Sequence, residues 1–268
     1  MTFLRSVQVV GERVSDPDRY PFSLAAVKAI GSMTFHPKVT FVAGENGTGK
    51  STLLEVIAVA AGFNPEGGSQ NFSFQTTHER STSVLHRAIG LVRGTKRPRT
   101  GYFLRAESFF NVASEIDRLD REPSFGPPIA DSYGGRSLHM QSHGESFVAL
   151  FMNRFGPDGL YVLDEPDAAL SLSRQFALLR RLHELLKSRC QFVIATHSPV
   201  LLAYPDAAIF ELSDSGIQHV PYAESEIYLT ARDFFRDPAR MLDRLLRDDE
   251  ESPSADSETC GSTGGPER

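Results

Sequence analysis

One glycine-rich segment limits the folds open to this chain more than any other part of its sequence. Residues 44–51 read Gly-Glu-Asn-Gly-Thr-Gly-Lys-Ser and fit the pattern G-x-x-x-x-G-K-S without a mismatch. An apolar run at 39–43 precedes the segment, and a helical pattern at 52–61 follows it and ends at Gly62. This order of strand, loop and helix predicts a phosphate-binding loop at the edge of a parallel sheet.

The residue types of the loop suit the phosphates of a nucleotide. Glycines let backbone N–H groups turn toward phosphate oxygens, and the start of the following helix adds a partial positive charge. We expect Lys50 to contact the β- and γ-phosphates and the Ser51 hydroxyl to ligate Mg²⁺. The predicted nucleotide-binding residues of this segment are Gly44, Glu45, Asn46, Gly47, Thr48, Gly49, Lys50, Ser51 and Thr52.

Two later strands end in residues that suit phosphate chemistry. The apolar run at 160–163 ends in Asp164 and Glu165, and the run at 191–195 is followed by His197. Asp164 at a strand end can reach the Mg²⁺ shell, and Glu165 is then placed to orient or deprotonate a water. His197 lies one strand–helix unit further on, which suits a side chain that senses the γ-phosphate.

The spacing of apolar residues predicts the rest of the fold. Strands alternate with helical patterns at 108–119, 146–154 and 172–187, which favours an α/β fold with a mainly parallel central sheet flanked by helices. Residues 2–10 form an early strand, and residues 214–216 turn a terminal hairpin. In the helix at 172–187, the side chains expected on the packed side are Phe176, Leu179, Leu182 and Leu186.

Charge and composition exclude several classes of protein. Residues 248–268 hold seven acidic residues and one base, which leaves residues 1–247 near neutral and the tail predicted to be disordered. Two cysteines cannot form a disulfide framework, so we expect a cytoplasmic location. We expect no direct membrane insertion, because no apolar run approaches the roughly 20 residues that a membrane helix needs.

The order of the motifs resembles that of the ATP-binding-cassette ATPases. GENGTGKS, SHGES, LYVLDEPDAALS and ATHS follow one another between Gly44 and Ser198, with 22 residues from Ser142 to Asp164 and 33 from Asp164 to His197. The resemblance is to the soluble RecF/SMC/Rad50 type, especially small bacterial AAA-family ATPases. It implies an ATPase domain over 1–247, with an antiparallel N-terminal β portion and a helical signature region at about 63–155.

This resemblance implies roles for further residues. Lys50 and Glu165 would be catalytic with His197, and Ser51, Asp164 and Gln75 would hold Mg²⁺, although Gln70 also fits the last position. Ser142, Gly144 and Glu145 would form the signature that contacts ATP on a partner subunit. The implied assembly is an ATP-dependent homodimer with two nucleotides sandwiched head to tail.

Four features depart from the usual pattern or leave alternatives open. His143 stands where the signature has its first glycine, and Ser171 ends the segment at 168–171 where an aspartate is usual. Ser142 and Glu145 also fit a simple capping box without a partner's nucleotide. For the adenine ring, Tyr20, Phe22 and Phe35 are candidate walls, although core packing explains each of them as well.

The cellular task has two candidate interpretations. Seven bases and no acid lie between Arg80 and Arg105, which suits either a solvated loop or contacts to a nucleic-acid backbone. The first interpretation is a stand-alone ATPase in nucleic-acid maintenance or defence. The alternative is the nucleotide-binding motor subunit of a membrane transporter whose membrane domains lie on another chain. We expect no fused nuclease domain, because 71 residues follow His197 and 21 of these belong to the predicted tail.

Overall fold

The computed structural model describes residues 2–14, 16–31, 33–69, 81–123 and 126–247. These residues fall into two compact units, one ending at Tyr228 and the other beginning at Leu229. Gln70 and Gln75 lie outside the described residues, as does the acidic tail at 248–268.

The strands within the described ranges alternate with helices through most of the chain. The strands are β1 (Leu4–Val9), β2 (Met33–Thr34), β3 (Val39–Gly44), β4 (Ile89–Arg93), β5 (Thr100–Arg105), β6 (Gly159–Asp164), β7 (Gln191–Ala195), β8 (Ala208–Ser213) and β9 (Gly216–Val220). The helices are α1 (Ala25–Lys28), α2 (Lys50–Ala61), α3 (Ser81–Ala88), α4 (Phe109–Arg121), α5 (His143–Ala149), α6 (Leu172–Lys187), α7 (Pro199–Leu202), α8 (Glu226–Arg236) and α9 (Pro238–Arg247).

Six strands form the central sheet in the order β5-β6-β7-β3-β8-β9. All neighbouring pairs are parallel except β8 and β9, which form the predicted hairpin around Gly216. A second, antiparallel sheet has the order β2-β1-β4. The α/β fold with a mainly parallel sheet and an antiparallel N-terminal portion is therefore confirmed.

The central sheet is buried on both faces. Along β3, Phe41 packs into one core cluster and its neighbour Val42 into the other, as alternation along a strand requires. Helix α2 covers one face with Leu53, Leu54 and Ile57, whereas α6 covers the opposite face. This packing explains why the central strands are apolar throughout and do not alternate with polar residues.

The side chain of Gln191 ties the antiparallel sheet to the central one. It is fully buried, its Oε1 accepts from the N–H groups of Phe3 and Leu4 at 2.8 Å, and its Nε2 donates to the carbonyls of Leu4 and His36. The amide thus pairs with four backbone groups from the two sheets' adjoining segments.

Most predicted helices are present with similar boundaries. Two predictions need correction: the start of α5 and the buried side of α6. Helix α5 begins at His143, earlier than the predicted 146, because Ser142 already caps it, and a π-helical turn at Leu150–Arg154 follows. In α6 the prediction for Phe176 is wrong, since 56% of its surface is exposed. The buried stripe runs through Leu178, Leu182 and Leu185, and Phe176 lies about 200° around the helix from Leu178.

Helix α2 ends as its sequence predicts. Gly62 adopts φ 101°, and its N–H donates to carbonyls of the last turn.

No helix in the described ranges has the length and apolar character needed to cross a membrane.

Candidate functional site

The phosphate loop lies between β3 and α2 and depends on glycine at two points of different kinds. At Gly44, φ is 135° and a Cβ atom would lie 2.3 Å from the Leu212 carbonyl oxygen of the neighbouring strand. At Gly47, φ is 86° but the surrounding space is open. Gly44 is therefore required by packing as well as by conformation, and Gly47 by conformation alone.

Lys50 begins α2 and lies inside the loop. Only 3% of the residue is exposed, and Nζ donates to the Glu45 carbonyl at 2.8 Å. Burial lowers the pKa of Lys50, while the nearby carboxylates of Glu165 and Asp164 raise it. A buried ammonium group held among carboxylates is suited to bind a ligand with several negative charges.

Ser51 and Asp164 meet across the sheet edge. Ser51 Oγ donates to Asp164 Oδ1 at 3.1 Å, and Asp164 is 5% exposed. Burial raises the pKa of Asp164 to about 6, although the Ser51 hydrogen bond and the Arg105 charge lower it. A nearby divalent cation would favour the ionised form, so this oxygen pair fits Mg²⁺.

The described residues contain no group of three or more His, Cys, Asp or Glu side chains that would hold a metal ion by themselves. Mg²⁺ at nucleotide sites is commonly bound by one or two protein oxygens together with phosphate oxygens. The donor set of Ser51 and Asp164 matches that type of site.

Glu165 and His197 face each other beside this pair. Their Oε1 and Nε2 atoms are 3.5 Å apart, and each side chain is 35% exposed. The His197 Nε2 atom itself is buried, and its approach to Glu165 lacks the geometry of a hydrogen bond, which leaves it without a partner in the described part of the chain. Such an atom is expected to meet a further polar group when a ligand binds.

The backbone at Glu165 adopts an uncommon conformation. Its φ is 51°, in the left-handed region that non-glycine residues rarely occupy. The Glu165 N–H donates to the Ala195 carbonyl at 3.0 Å, which fixes this turn to the end of β7. The turn aims the carboxylate toward His197 at the cost of local strain.

A buried network behind Glu165 and His197 was not found by sequence reasoning. Thr196 Oγ1 donates to Asp167 Oδ1 at 2.5 Å and accepts from the Ser198 N–H at 3.0 Å. Ser198 Oγ in turn donates to Gln175 Oε1 on α6 at 2.6 Å. Burial raises the pKa of Asp167. The network joins the turns after β6 and β7, and the polar run Thr-His-Ser after a buried strand was the available signal.

The end of β5 brings an unexpected ion pair beside Asp164. Arg105 lies opposite Asp164 in the sheet register, and its Nη1 donates to Glu55 Oε2 at 2.8 Å. Glu107 lies near enough to raise the pKa of Asp164. Gln75 and Gln70, the predicted third Mg²⁺ ligands, lie outside the described residues, so that prediction remains open.

Ser142 begins α5 in a reciprocal cap. Its N–H and its Oγ both donate to Glu145 Oε2, at 2.9 and 2.7 Å, and these bonds lower the pKa of Glu145. Gly144 is buried against the segment before α6, because an added Cβ would lie 2.8 Å from the Ala169 carbonyl oxygen. Across the described ranges, no hydrogen bond or ion pair joins this segment to the phosphate loop.

The segment at 168–171 forms a turn that leads into α6. Its N–H groups at Ala168 and Leu170 donate to the carbonyls of Glu165 and Asp167. Ser171 is the N-cap residue of α6, with extended φ and ψ of −60° and 159°. Serine and aspartate are both favoured at an N-cap, and Ser171 makes no side-chain capping bond, so nothing in the structure explains the replacement of aspartate here.

The three aromatic candidates for the adenine wall differ in exposure. Phe22 and Phe35 are 4% and 3% exposed and belong to a core cluster. Tyr20 is 54% exposed, so it is the candidate left free to meet a ligand.

Comparisons with known proteins point to the same class of protein as the motifs. Residues 138–203 match the family described as "AAA domain, putative AbiEii toxin, Type IV TA system", and residues 30–103 match one described as "AAA domain". No curated protein matches the chain. Both matched descriptions name an AAA domain, in agreement with the phosphate loop and strand ends described above.

Solved structures with similar folds have low sequence identity. The SMC head domain from Thermotoga maritima is 17% identical with a TM-score of 0.41, covering 82% of this chain and 99% of that chain. An ATP-binding cassette of an ABC transporter in its ADP conformation is also 17% identical, with a TM-score of 0.45 and coverage of 81% and 90%.

Proposed function

We propose that this protein hydrolyses ATP to ADP and phosphate with Mg²⁺, in a head-to-tail homodimer that sandwiches two nucleotides. The observation that carries the proposal is the meeting of Lys50, the Ser51–Asp164 pair and the Glu165–His197 pair at the carboxyl ends of β3, β6 and β7. Ligands of open α/β sheets bind at this edge. We place this activity within residues 1–247 and the protein in the cytoplasm.

The residues at this edge divide the work of binding. The glycine loop and the start of α2 would hold the phosphates, with Lys50 against the β- and γ-phosphates. Ser51 and Asp164 would hold Mg²⁺, which supplies charge neutralisation at the phosphates when bound. Tyr20 is the exposed candidate for the adenine ring.

We assign the action on water and on the terminal phosphate to two side chains. Glu165 would orient the attacking water and accept its proton, since its carboxylate follows Asp164 directly and is partly exposed. His197 would donate to the γ-phosphate through the Nε2 atom that has no hydrogen-bond partner among the described residues. The buried Thr196–Asp167 bond would hold the two turns in register during this step.

The dimer would complete the site from the partner's side. Ser142, Gly144 and Glu145 have no bond to the chain's own loop within the described ranges, which fits a role toward a second subunit. The reciprocal Ser142–Glu145 cap would release the Ser142 hydroxyl to a phosphate oxygen. Two such contacts related by a two-fold axis close the assembly.

Size-exclusion chromatography with light scattering tests the dimer directly. Glu165→Gln should bind Mg-ATP and accumulate as a dimer, because ATP is no longer hydrolysed and the dimer therefore does not dissociate. Glu165→Gln combined with Ser142→Arg should stay monomeric, whereas Glu165→Gln with Ser215→Arg, a change in the exposed hairpin turn, should still dimerise. A monomer in all three proteins at saturating Mg-ATP contradicts the proposal.

We further propose that the activity is coupled to nucleic acid through the basic loop at 93–99. Arg93, Lys96 and Arg97 line a cavity of about 260 Å³ at the amino ends of β5 and β6. The acidic neighbour Asp158 is already paired with Arg189 at 2.6 Å. The loop lies roughly 20 Å along the strands from the ATP edge, so the two ligands would not compete.

Gel shifts at several salt concentrations test the coupling. Changing Lys96, Arg97 and Arg99 to glutamine should weaken DNA binding and lower the slope of log K against log salt by about 2 to 3. Changing Lys28, Arg118 and Arg180 to glutamine is the control, since these exposed bases lie elsewhere. Equal binding by both triple variants contradicts the nucleic-acid part of the proposal.

Stable co-purification with a membrane protein would instead favour the alternative function, the nucleotide-binding motor subunit of a membrane transporter.

A further inference from the structure

A series of contacts leads from the edge that would hold Mg²⁺ to the signature segment. Strand β5 ends with Arg105 opposite Asp164, and the Ala106 N–H donates to the Asp164 carbonyl at 3.3 Å. Three residues later α4 begins, and Ser108 Oγ fixes its start by donating to the Glu66 carbonyl at 2.7 Å. The first turn of α4 is therefore anchored to the edge that would hold the metal.

Two aromatic contacts join that first turn to the first turns of α5. Phe109 meets Phe147 edge to face, with ring centroids 4.7 Å apart, and both rings are buried in the core. Phe110 meets His143 in the same manner at 4.4 Å, but at the surface, where Phe110 is 37% exposed. Core packing explains the contact of Phe109 with Phe147. It does not explain the contact of Phe110 with His143, which lies at the surface.

The exposed ring of His143 has few other partners. Among the described residues, its ring nitrogens make no hydrogen bond or ion pair, and the ring's aromatic neighbour is Phe110. Phe110 is itself flanked by His139, at 5.8 Å, whose Nε2 is 3.0 Å from Ser114 Oγ on α4. The residue that replaces the usual glycine of the signature is thus packed onto the helix anchored at the Mg²⁺ edge.

We propose that Phe110 and His143 are positioning residues that set the place of Ser142 and Gly144 for the ATP of the partner subunit. A glycine at 143 would leave the surface contact between α4 and α5 unmade. The inference rests on the proposed dimer. It assigns neither residue a contact with the reacting atoms.

The test measures nucleotide binding and dimerisation separately, with every variant built on Glu165→Gln. Phe110→Ala and His143→Gly should bind fluorescent ATP as tightly as the parent, because the binding loop is untouched. Sedimentation should show a dimer dissociation constant raised roughly tenfold to a hundredfold, because a threefold to tenfold loss for one aromatic pair applies in each of the two subunits. His143→Phe should keep the dimer dissociation constant of the parent, since a phenyl ring can make the same edge-to-face contact.

Phe235→Ala is the matched control, because it removes a 75% exposed aromatic ring from α8 and should change neither quantity. A parent that dimerises together with Phe110→Ala and His143→Gly variants of equal dimer affinity overturns the positioning role alone. A His143→Phe variant that dimerises as weakly as His143→Gly overturns the positioning role as well. A parent that stays monomeric overturns the proposed dimer, and this inference with it.

Discussion

The ATP edge of the sheet and the signature segment are built by different means. At the ATP edge, three parallel strands end side by side, and their backbone hydrogen bonds place Lys50, Asp164 and His197 within one site. The signature begins a helix of seven residues, held by the Ser142–Glu145 cap, the Gly144 contact and aromatic packing. Backbone pairing therefore fixes the first region, whereas side chains fix the second.

This difference predicts how each region responds to substitution. A change of one side chain at the ATP edge should remove a chemical role and leave the geometry intact. A change in the signature should shift the geometry and leave the chain's own nucleotide binding intact. The two regions can thus be separated by measuring nucleotide affinity, turnover and dimerisation on the same variants.

The largest effect is expected at the ATP edge from Lys50→Ala. Removal of a buried cation aimed at the phosphates should lower turnover by about a hundredfold or more. Phosphate release and fluorescent-ATP titration measure the losses of turnover and of nucleotide affinity. Lys38→Ala at the opposite end of β3 is the control, because Lys38 is exposed and its pKa is raised by its hydrogen bond to Asp206. Full turnover in Lys50→Ala would mean that the loop is not the phosphate site.

The ATP edge could be predicted from sequence because strand order alone assembles it. Each motif follows an apolar strand, and parallel strands bring their carboxyl ends together whatever the surrounding side chains are. Arg105, Glu55 and Asp167 were missed because their roles depend on which strand lies beside which. That order is long-range information, and local patterns do not contain it.

The signature could be predicted only in part for the same reason. Ser142 and Glu145 form a local cap, and local caps can be recognised in a sequence. The contact of Gly144 with the segment before α6 and that of His143 with Phe110 involve distant parts of the chain. The error at Phe176 has a related cause, since several phases of an apolar helix stripe fit one sequence.

A smaller effect at the ATP edge concerns pH and Asp164. Its folded pKa of about 6 lies above the ordinary value of 3.8, so the folded state holds its proton more tightly than the unfolded state. Without Mg²⁺ or nucleotide, this contribution to stability is present below pH 4 and is lost as the pH rises through 6. Asp164→Asn removes the ionisation and should stabilise the nucleotide-free protein at pH 8 by about 2–3 kcal/mol.

Urea unfolding in EDTA at pH 5 and pH 8 measures this difference. Asp206→Asn is the control, because Lys38 holds the pKa of this exposed carboxyl below its usual value. The stability gained by Asp164→Asn should shrink toward pH 5, where the wild-type carboxyl is mostly protonated in the folded state. A gain of equal size at both pH values would contradict a raised pKa at Asp164.

The smallest change in stability, with a large change in assembly, is expected from Gly144→Ala. The new Cβ would lie 2.8 Å from the Ala169 carbonyl and 2.2 Å from Arg174 Nη1; the backbone oxygen must shift, while the arginine tip can move. Such crowding costs about 1–3 kcal/mol, and the better helix propensity of alanine offsets about 1 kcal/mol of it. The net loss of about 0–2 kcal/mol should lower the midpoint of thermal unfolding by at most about 8 °C. Because the displaced helix start carries Ser142, dimerisation of the Glu165→Gln protein should weaken strongly, while Gly31→Ala, in open space, should leave it unchanged. Normal dimerisation of Gly144→Ala would mean that the position of this helix start is not what the partner's nucleotide requires.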